Sequence, residues 1–260
     1  LYFPSEEMME EGISGQQSLP VLLFFHGGGW VTEGVETYDR VCARMAQSTG
    51  QIVASVEYRL APEHRFPIPL EDCYAAARAL YTNHSILHTE PERITVMGDS
   101  AGGNLAAAVV LKARDTGEFK IERQILIYPA LNNCYTEESP YPSVKENGKD
   151  YLLTAVKMQD YLELYKSSPE DLENPYFAPL KEKDLRGMPR TLILTAEFDP
   201  LRDEGEDYGR RLLEAGNQVE MHRIPDALHG YFALGIRFLH VRESFGYING
   251  FLENSADNKS

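Results

Sequence analysis

An α/β fold is expected of this chain, with a mostly parallel central sheet flanked by helices, and three observations lead to it. Short apolar runs rich in β-branched residues recur at 20–25, 51–56, 93–97, 122–128, 190–196 and 218–224. Most are separated by stretches with apolar residues at helical spacing, the alternation that builds a parallel sheet. The residues with chemical potential fall in loops just after such runs, outside the carboxyl ends of strands, where open parallel sheets keep their functional crevice. A length of 260 residues suits one domain over 1–260 with a substantial core.

Composition narrows the function classes. Hydrophobic residues make up 43% and charged residues 25%, as in ordinary globular proteins, and no apolar run reaches the length of a membrane span. The net charge of −15 repels nucleic-acid phosphates and anionic membranes, so neutral or cationic small molecules are the expected partners. Cys42, Cys73 and Cys134 are odd in number, widely spaced and free of a Cys-x-x-Cys pattern. Reduced thiols and a cytoplasmic location follow as expectations. No signal peptide is visible, and the chain does not start with methionine.

The elements follow in order. Leu1-Tyr2-Phe3 reads as the end of a strand, and 5–19 as a polar connection, so earlier strands and an N-terminal cap are expected to be absent from this chain. The buried run 20–25 leads into His26-Gly27-Gly28-Gly29-Trp30, three consecutive glycines whose backbone can aim N–H groups at one point. A helix is expected over 38–48, stopped by Gly50, then a strand over 51–56. Charges in the proline-punctuated 58–67 connection are read as structural ion pairs, and Pro69 opens a helix to about Tyr81. His84 and His88 are four apart, but no carboxylate pattern accompanies them and the segment reads as loop, so no metal site is expected.

The strand 93–97 enters Gly98-Asp99-Ser100-Ala101-Gly102, and a helix rich in small residues follows. A serine on such a strand-to-helix turn is held at its tip, beside helix N-terminal N–H groups that favour negative charge. The interval 130–189 breaks the alternation. It carries a helical pattern over 154–165 and is expected to form a partial cap, with Tyr151, Tyr161, Tyr165, Tyr176 and Phe177 as candidate pocket residues or plain packing. The run 190–196 leads to Asp199, the preferred carboxylate over Glu197 and Asp203, before a helix to about Ala215. The run 218–224 precedes His229, a helix follows within 234–252, and 254–260 reads as a tail.

Serine needs a base, and histidine has a suitable pKa but needs an acceptor to fix its tautomer. The order Ser100, Asp199, His229, each after an expected strand, is that of the α/β-hydrolase fold. His222 falls inside a strand, His240 on a helix and His26 in the glycine loop, where it is expected to brace the turn, so they compete poorly for the base.

His26-Gly27-Gly28-Gly29-Trp30, Tyr58-Arg59-Leu60-Ala61-Pro62-Glu63, Gly98-Asp99-Ser100-Ala101-Gly102-Gly103-Asn104, Asp199-Pro200-Leu201-Arg202-Asp203-Glu204 and His229-Gly230 together resemble the hormone-sensitive-lipase-like family of carboxylesterases, particularly its microbial members. The resemblance implies Ser100 as nucleophile, His229 as base, Asp199 as its partner, and the N–H groups of Gly28, Gly29 and Ala101 as the oxyanion hole. It implies hydrolysis of short-chain esters, acetyl to about hexanoyl, through an acyl-enzyme, without metal or organic cofactor, and it carries over a homodimer as an expectation. The order and motifs leave a deacetylase of acetylated sugars or xylan, a peptidase or amidase, and a catalytically silent binding module of the same fold as alternatives.

Overall fold

In the computed structural model, residues 1–14, 18–83 and 87–253 are described. The helices are α1 (Glu6–Ser14), α2 (Asp39–Thr49), α3 (Ile68–Thr82), α4 (Ala101–Thr116), α5 (Pro142–Glu146), α6 (Ala155–Tyr165), α7 (Arg202–Glu214) and α8 (Leu239–Glu253). The strands are β1 (Val21–Phe25), β2 (Ile52–Val56), β3 (Ile94–Asp99), β4 (Arg123–Ile127), β5 (Arg190–Phe198) and β6 (Val219–Leu228). They form one sheet in the order β2-β1-β3-β4-β5-β6, with every neighbouring pair parallel. Parallel pairing requires crossovers, and these lay helices over both faces.

The period of two along β1 divides the core. Val21, Leu23 and Phe25 face a cluster with α3, α4 and α7, whereas Leu22 and Phe24 face one with α2 and α8. Burial on both sides explains why the strand is apolar at every position. Helix α4 lies at the centre of the first layer, and Ala106, Ala107, Ala108 and Val109 are fully buried there. Small side chains let this helix approach the sheet closely.

Three elements depart from sequence expectation. Residues 6–14 form α1 rather than a connection, and the Ser5 hydroxyl accepts from the Met8 N–H at 3.2 Å at its start. The N-terminal strand end is a single antiparallel bridge, Tyr2 to Val53. Strand β6 runs past Pro225 to Leu228, where a register shift against β5 between Ala196 and Phe198 absorbs the irregularity. Asp226 takes a φ of 57° there, and its N–H donates to Glu197 Oε2 at 2.8 Å. In the 58–67 connection, among the described residues, only Arg59 forms the expected ion pair, with Asp72 at 2.7 Å. Arg65 instead donates to the carbonyls of Glu163 and Lys166, tying the connection to α6. His84 and the 254–260 tail lie outside the described residues.

Among the described residues no helix is long and apolar enough to cross a membrane. Cys42, Cys73 and Cys134 are free thiols, the first two buried.

Candidate active site

Four strands end at one edge of the sheet, and each passes a functional group to the same place. Strand β3 ends at Asp99, and Ser100 takes φ 55° and ψ −119° before α4 begins. That turn needs empty space beside it: a Cβ on Gly102 would sit 2.0 Å from the Phe25 carbonyl oxygen. Ser100 Oγ lies 2.8 Å from His229 Nε2. His229 follows β6 directly, and its Nδ1 lies 2.7 Å from Oδ2 of Asp199, the residue after β5. The other oxygen of Asp199 accepts the Leu201 N–H at 2.8 Å, and the carboxylate is fully buried while the imidazole is 11% exposed. A hydroxyl, an imidazole and a buried carboxylate in this line can move the serine proton as the oxygen attacks a carbonyl.

The fourth strand, β1, delivers the glycine loop. Gly28 and Gly29 have φ of 109° and 62°. The Gly28 carbonyl accepts from the Val31 and Thr32 N–H groups, which closes the turn. Gly28, Gly29 and Ala101 line the same cleft as Ser100 and His229, and among the described residues their own N–H groups have no hydrogen-bond acceptor. The cleft holds about 490 Å³. Its walls differ: the insertion supplies Leu152, Leu153, Met158 and Tyr161, and the segment after the glycine loop supplies Thr32, Thr37 and Arg40.

Several residues support this arrangement, and of them Asp99, Tyr38, Tyr58 and Tyr128 carried no assigned role in the sequence reading. Asp99 is fully buried. Its Oδ1 accepts the Gly27 N–H at 2.9 Å, and its Oδ2 accepts the hydroxyls of Tyr38 at 2.9 Å and Tyr128 at 3.3 Å. One carboxylate thus fastens the glycine loop to the serine turn. Burial raises it to about 6 against those stabilising hydrogen bonds. Tyr128 also packs on His229, with ring centroids 4.7 Å apart. His26 braces the loop from beneath: its Nδ1 lies 2.8 Å from the Gly27 carbonyl, and Tyr58 stacks on it and donates to its carbonyl at 2.7 Å. Asp99 stands inside the serine motif, so its position was visible, whereas its partners depend on the fold.

Glu204 is buried in α7 beneath the insertion. Its Oε1 accepts from the Leu131 and Asn132 N–H groups and the Tyr135 hydroxyl at 2.7, 3.2 and 2.8 Å. Burial pushes its carboxyl up to about 8.

Of the five candidate pocket aromatics, Tyr161 lines the cleft, over Gly29, where a Cβ would meet its ring at 2.6 Å. Tyr165 stacks on Trp30 in the core instead and Phe177 on Tyr165, Tyr151 stacks on Phe198, and Tyr176 donates to Asp115. The rival carboxylates are engaged elsewhere, Asp203 with the Ser143 N–H and Glu197 with Asp226. His222 is paired with Glu220 and stacked on Tyr247.

Comparison with known proteins agrees with this architecture. The family described as having the alpha/beta hydrolase fold matches residues 22–233. Esterase LipI of Mycobacterium tuberculosis is 38% identical over 218 residues, 83% of this chain and 67% of that protein. Carboxylesterase NlhH of the same organism is 39% identical over 225 residues, 84% of this chain and 69% of its own length. The structure of a hyperthermophilic esterase from the archaeon Pyrobaculum calidifontis superimposes with a TM-score of 0.87 at 41% identity, covering 92% of this chain and 78% of the other. The chain belongs to the α/β-hydrolase family, within its hormone-sensitive-lipase-like carboxylesterases.

Proposed function

We propose that this protein is a serine carboxylesterase that hydrolyses short-chain acyl esters, with Ser100 as nucleophile, His229 as base and Asp199 as its partner. The observation that carries the reading is the unbroken line from Asp199 Oδ2 through His229 to Ser100 Oγ, with separations of 2.7 and 2.8 Å. Relatives named as esterases and carboxylesterases support the reaction class.

In the proposed reaction Ser100 Oγ attacks the ester carbonyl as His229 Nε2 takes its proton, and the oxyanion accepts from the N–H groups of Gly28, Gly29 and Ala101. Asp199 holds the proton on Nδ1 and stabilises the imidazolium. The imidazolium then protonates the departing alcohol, leaving the acyl group on Ser100. Water enters and its oxygen attacks the acyl carbon as His229 takes its proton, and the tetrahedral adduct collapses to the free acid as His229 returns that proton to the departing Ser100 Oγ. A cleft of about 490 Å³ is within the usual range for a small-molecule site and fits short acyl groups better than long lipids.

A second reading concerns the alcohol. The wall formed by Thr32, Thr37 and Arg40 offers hydrogen-bond partners to a hydroxylated leaving group, which supports acetylated sugars as substrates.

The test is initial-rate hydrolysis of nitrophenyl acetate, butyrate, octanoate and palmitate by the wild type and Ser100→Ala. A rate that peaks at the short chains and falls by about five to six orders of magnitude in the variant is expected. Turnover that survives the substitution would remove Ser100 from the mechanism, and a maximum at palmitate would overturn the short-chain preference.

A further inference from the structure

A second, smaller cavity opens beside the Ser100 cleft. Arg40, Val41 and Ala233 line both, so the two spaces adjoin. The smaller one holds about 210 Å³, and a cavity of about 150 Å³ already takes a benzene ring. Its interior is apolar, lined by the buried side chains of Phe232, Val241 and Phe245. Its charged groups are Arg40 and Arg44, about one turn apart on α2 and therefore on one side of that helix.

Like charges at this spacing destabilise a helix, and nothing relieves these two. Among the described residues no carboxylate lines the cavity, and neither guanidinium meets a carboxylate or a hydrogen-bond acceptor. In a chain with 40 acidic and 25 basic residues carboxylate partners are abundant, and Arg59, Arg202, Arg210 and Arg223 each pair with one. Arg44 is nevertheless closely fitted. A Cβ on Gly235 would meet its Nη1 at 2.6 Å, and Gly235 takes a φ of 106°, so the backbone beyond His229 is shaped around a guanidinium that has no anion of its own.

We infer that this cavity receives the alcohol side of the ester, and that the alcohol carries a carboxylate on an apolar, ring-sized body; the inference rests on the proposed esterase reaction. His229 Nε2 delivers its proton to the departing oxygen, so the alcohol leaves on the histidine's side of the cleft. The cavity is on that side, since Phe232 and Ala233 belong to the short helical turn Tyr231–Leu234 that directly follows His229-Gly230. A ring reaching past Val41 and Ala233 packs against Phe232, Val241 and Phe245, and its carboxylate accepts from the N–H groups of Arg40 and Arg44. Hydrolysis adds water across the ester bond and releases the short acid and a hydroxyl-bearing carboxylate. The arginine pair supplies locally the positive charge that the chain of net charge −15 lacks as a whole, so the acidic alcohol replaces the neutral or cationic partner that net charge alone suggests.

The experiment compares para-acetoxybenzoate and para-acetoxyphenylpropanoate, which differ in reach from ester to carboxylate, with their neutral amides. The readout is the ratio of kcat/KM for acid over amide in the wild type, Arg40→Gln and Arg44→Gln, so that intrinsic ester reactivity cancels between proteins. The wild type is expected to favour at least one acid by about tenfold or more, and each variant to lose most of that ratio. Calorimetric titration of Ser100→Ala with para-hydroxyphenylpropanoate reads the cavity without turnover: saturable binding is expected, weakened about tenfold or more in Ser100→Ala/Arg44→Gln. A ratio that neither substitution changes, or binding of the alcohol that does not depend on Arg44, overturns the inference. Absence of serine-dependent nitrophenyl acetate turnover together with Arg44-dependent binding would instead overturn the esterase reading and leave the carboxylate site in place.

Discussion

Asp99 shows how one side chain can serve two loops. It sits beside the proposed nucleophile, yet its oxygens are directed at Gly27 and Tyr38, which are 72 and 61 residues away in sequence. Charge-assisted hydrogen bonds of this kind contribute about 1.5–3 kcal/mol each, so Asp99→Asn is expected to lower kcat by about ten- to a hundredfold with little change in KM. Steady-state kinetics on nitrophenyl butyrate check this, and a loss confined to KM would contradict a role in holding the glycine loop. Asp199→Asn should cost about 10⁴-fold in kcat through the wrong imidazole tautomer, whereas Asp203→Asn should leave kcat within a fewfold, because Asp203 is occupied with Ser143 and Arg202. The meeting of Ser100, Asp199 and His229 was legible in the sequence because each comes a few residues after a run that reads as a strand. The roles of Asp99, Tyr38 and Tyr128 were not, since they arise from contacts that exist only after the sheet has formed.

Among the elements, the continuous apolar runs were readable because a strand buried on both faces leaves no polar position to blur the signal. Helix α1 was missed because its acidic, glycine-containing sequence resembles a connection, and the end of β6 because Pro225 signals a stop that the offset against β5 overrides. The insertion was recognised as an interruption, but its aromatic residues could not be divided between cleft and core without the packing of Trp30, Phe66, Tyr165 and Phe177. The meeting of α6 with the glycine loop gives a direct test. Gly29→Ala would drive a methyl group into the Tyr161 ring at a φ of 62°, and displacing one of the proposed oxyanion donors should cost about 10²–10³-fold in kcat. Gly29→Ala/Tyr161→Ala should recover part of that loss, as measured by kcat on nitrophenyl acetate. No recovery would show that the backbone strain, rather than the ring, is responsible.

Across the molecule, the buried Glu204 couples stability to pH. Its carboxyl is raised from 4.5 to about 8 by burial, so between those values the folded chain binds more protons than the unfolded one. Stability must therefore fall as pH rises through that window. Among the described residues Oε2 has no hydrogen-bond partner, and a protonated oxygen there costs less than a charged one. Asp99 acts with the same sign up to about 6, and His26, lowered by burial from 6.5, acts with the opposite sign up to 6.5, so Glu204 dominates in the interval from about pH 7 to 8. Urea unfolding at several pH values should give Glu204→Gln a flatter slope than the wild type in that interval; equal slopes would show that this carboxyl is not the source. The hold of α7 on the insertion has one more consequence. Besides Glu204, Asp203 takes the Ser143 N–H, Asp207 the Tyr141 hydroxyl, and Arg211 donates to the Leu180 carbonyl. Both roots of the insertion are thus bolted to the helix that starts beside Asp199, while its middle part reaches over the cleft. The chain is laid out like a tool with a fixed handle and a small replaceable edge: Arg65 and the stack of Tyr165 on Trp30 hold the stretch between those bolts as well, so changes confined to Leu152, Leu153 and Met158 at the cleft are the ones expected to retune substrate choice while the chemistry beneath keeps its alignment.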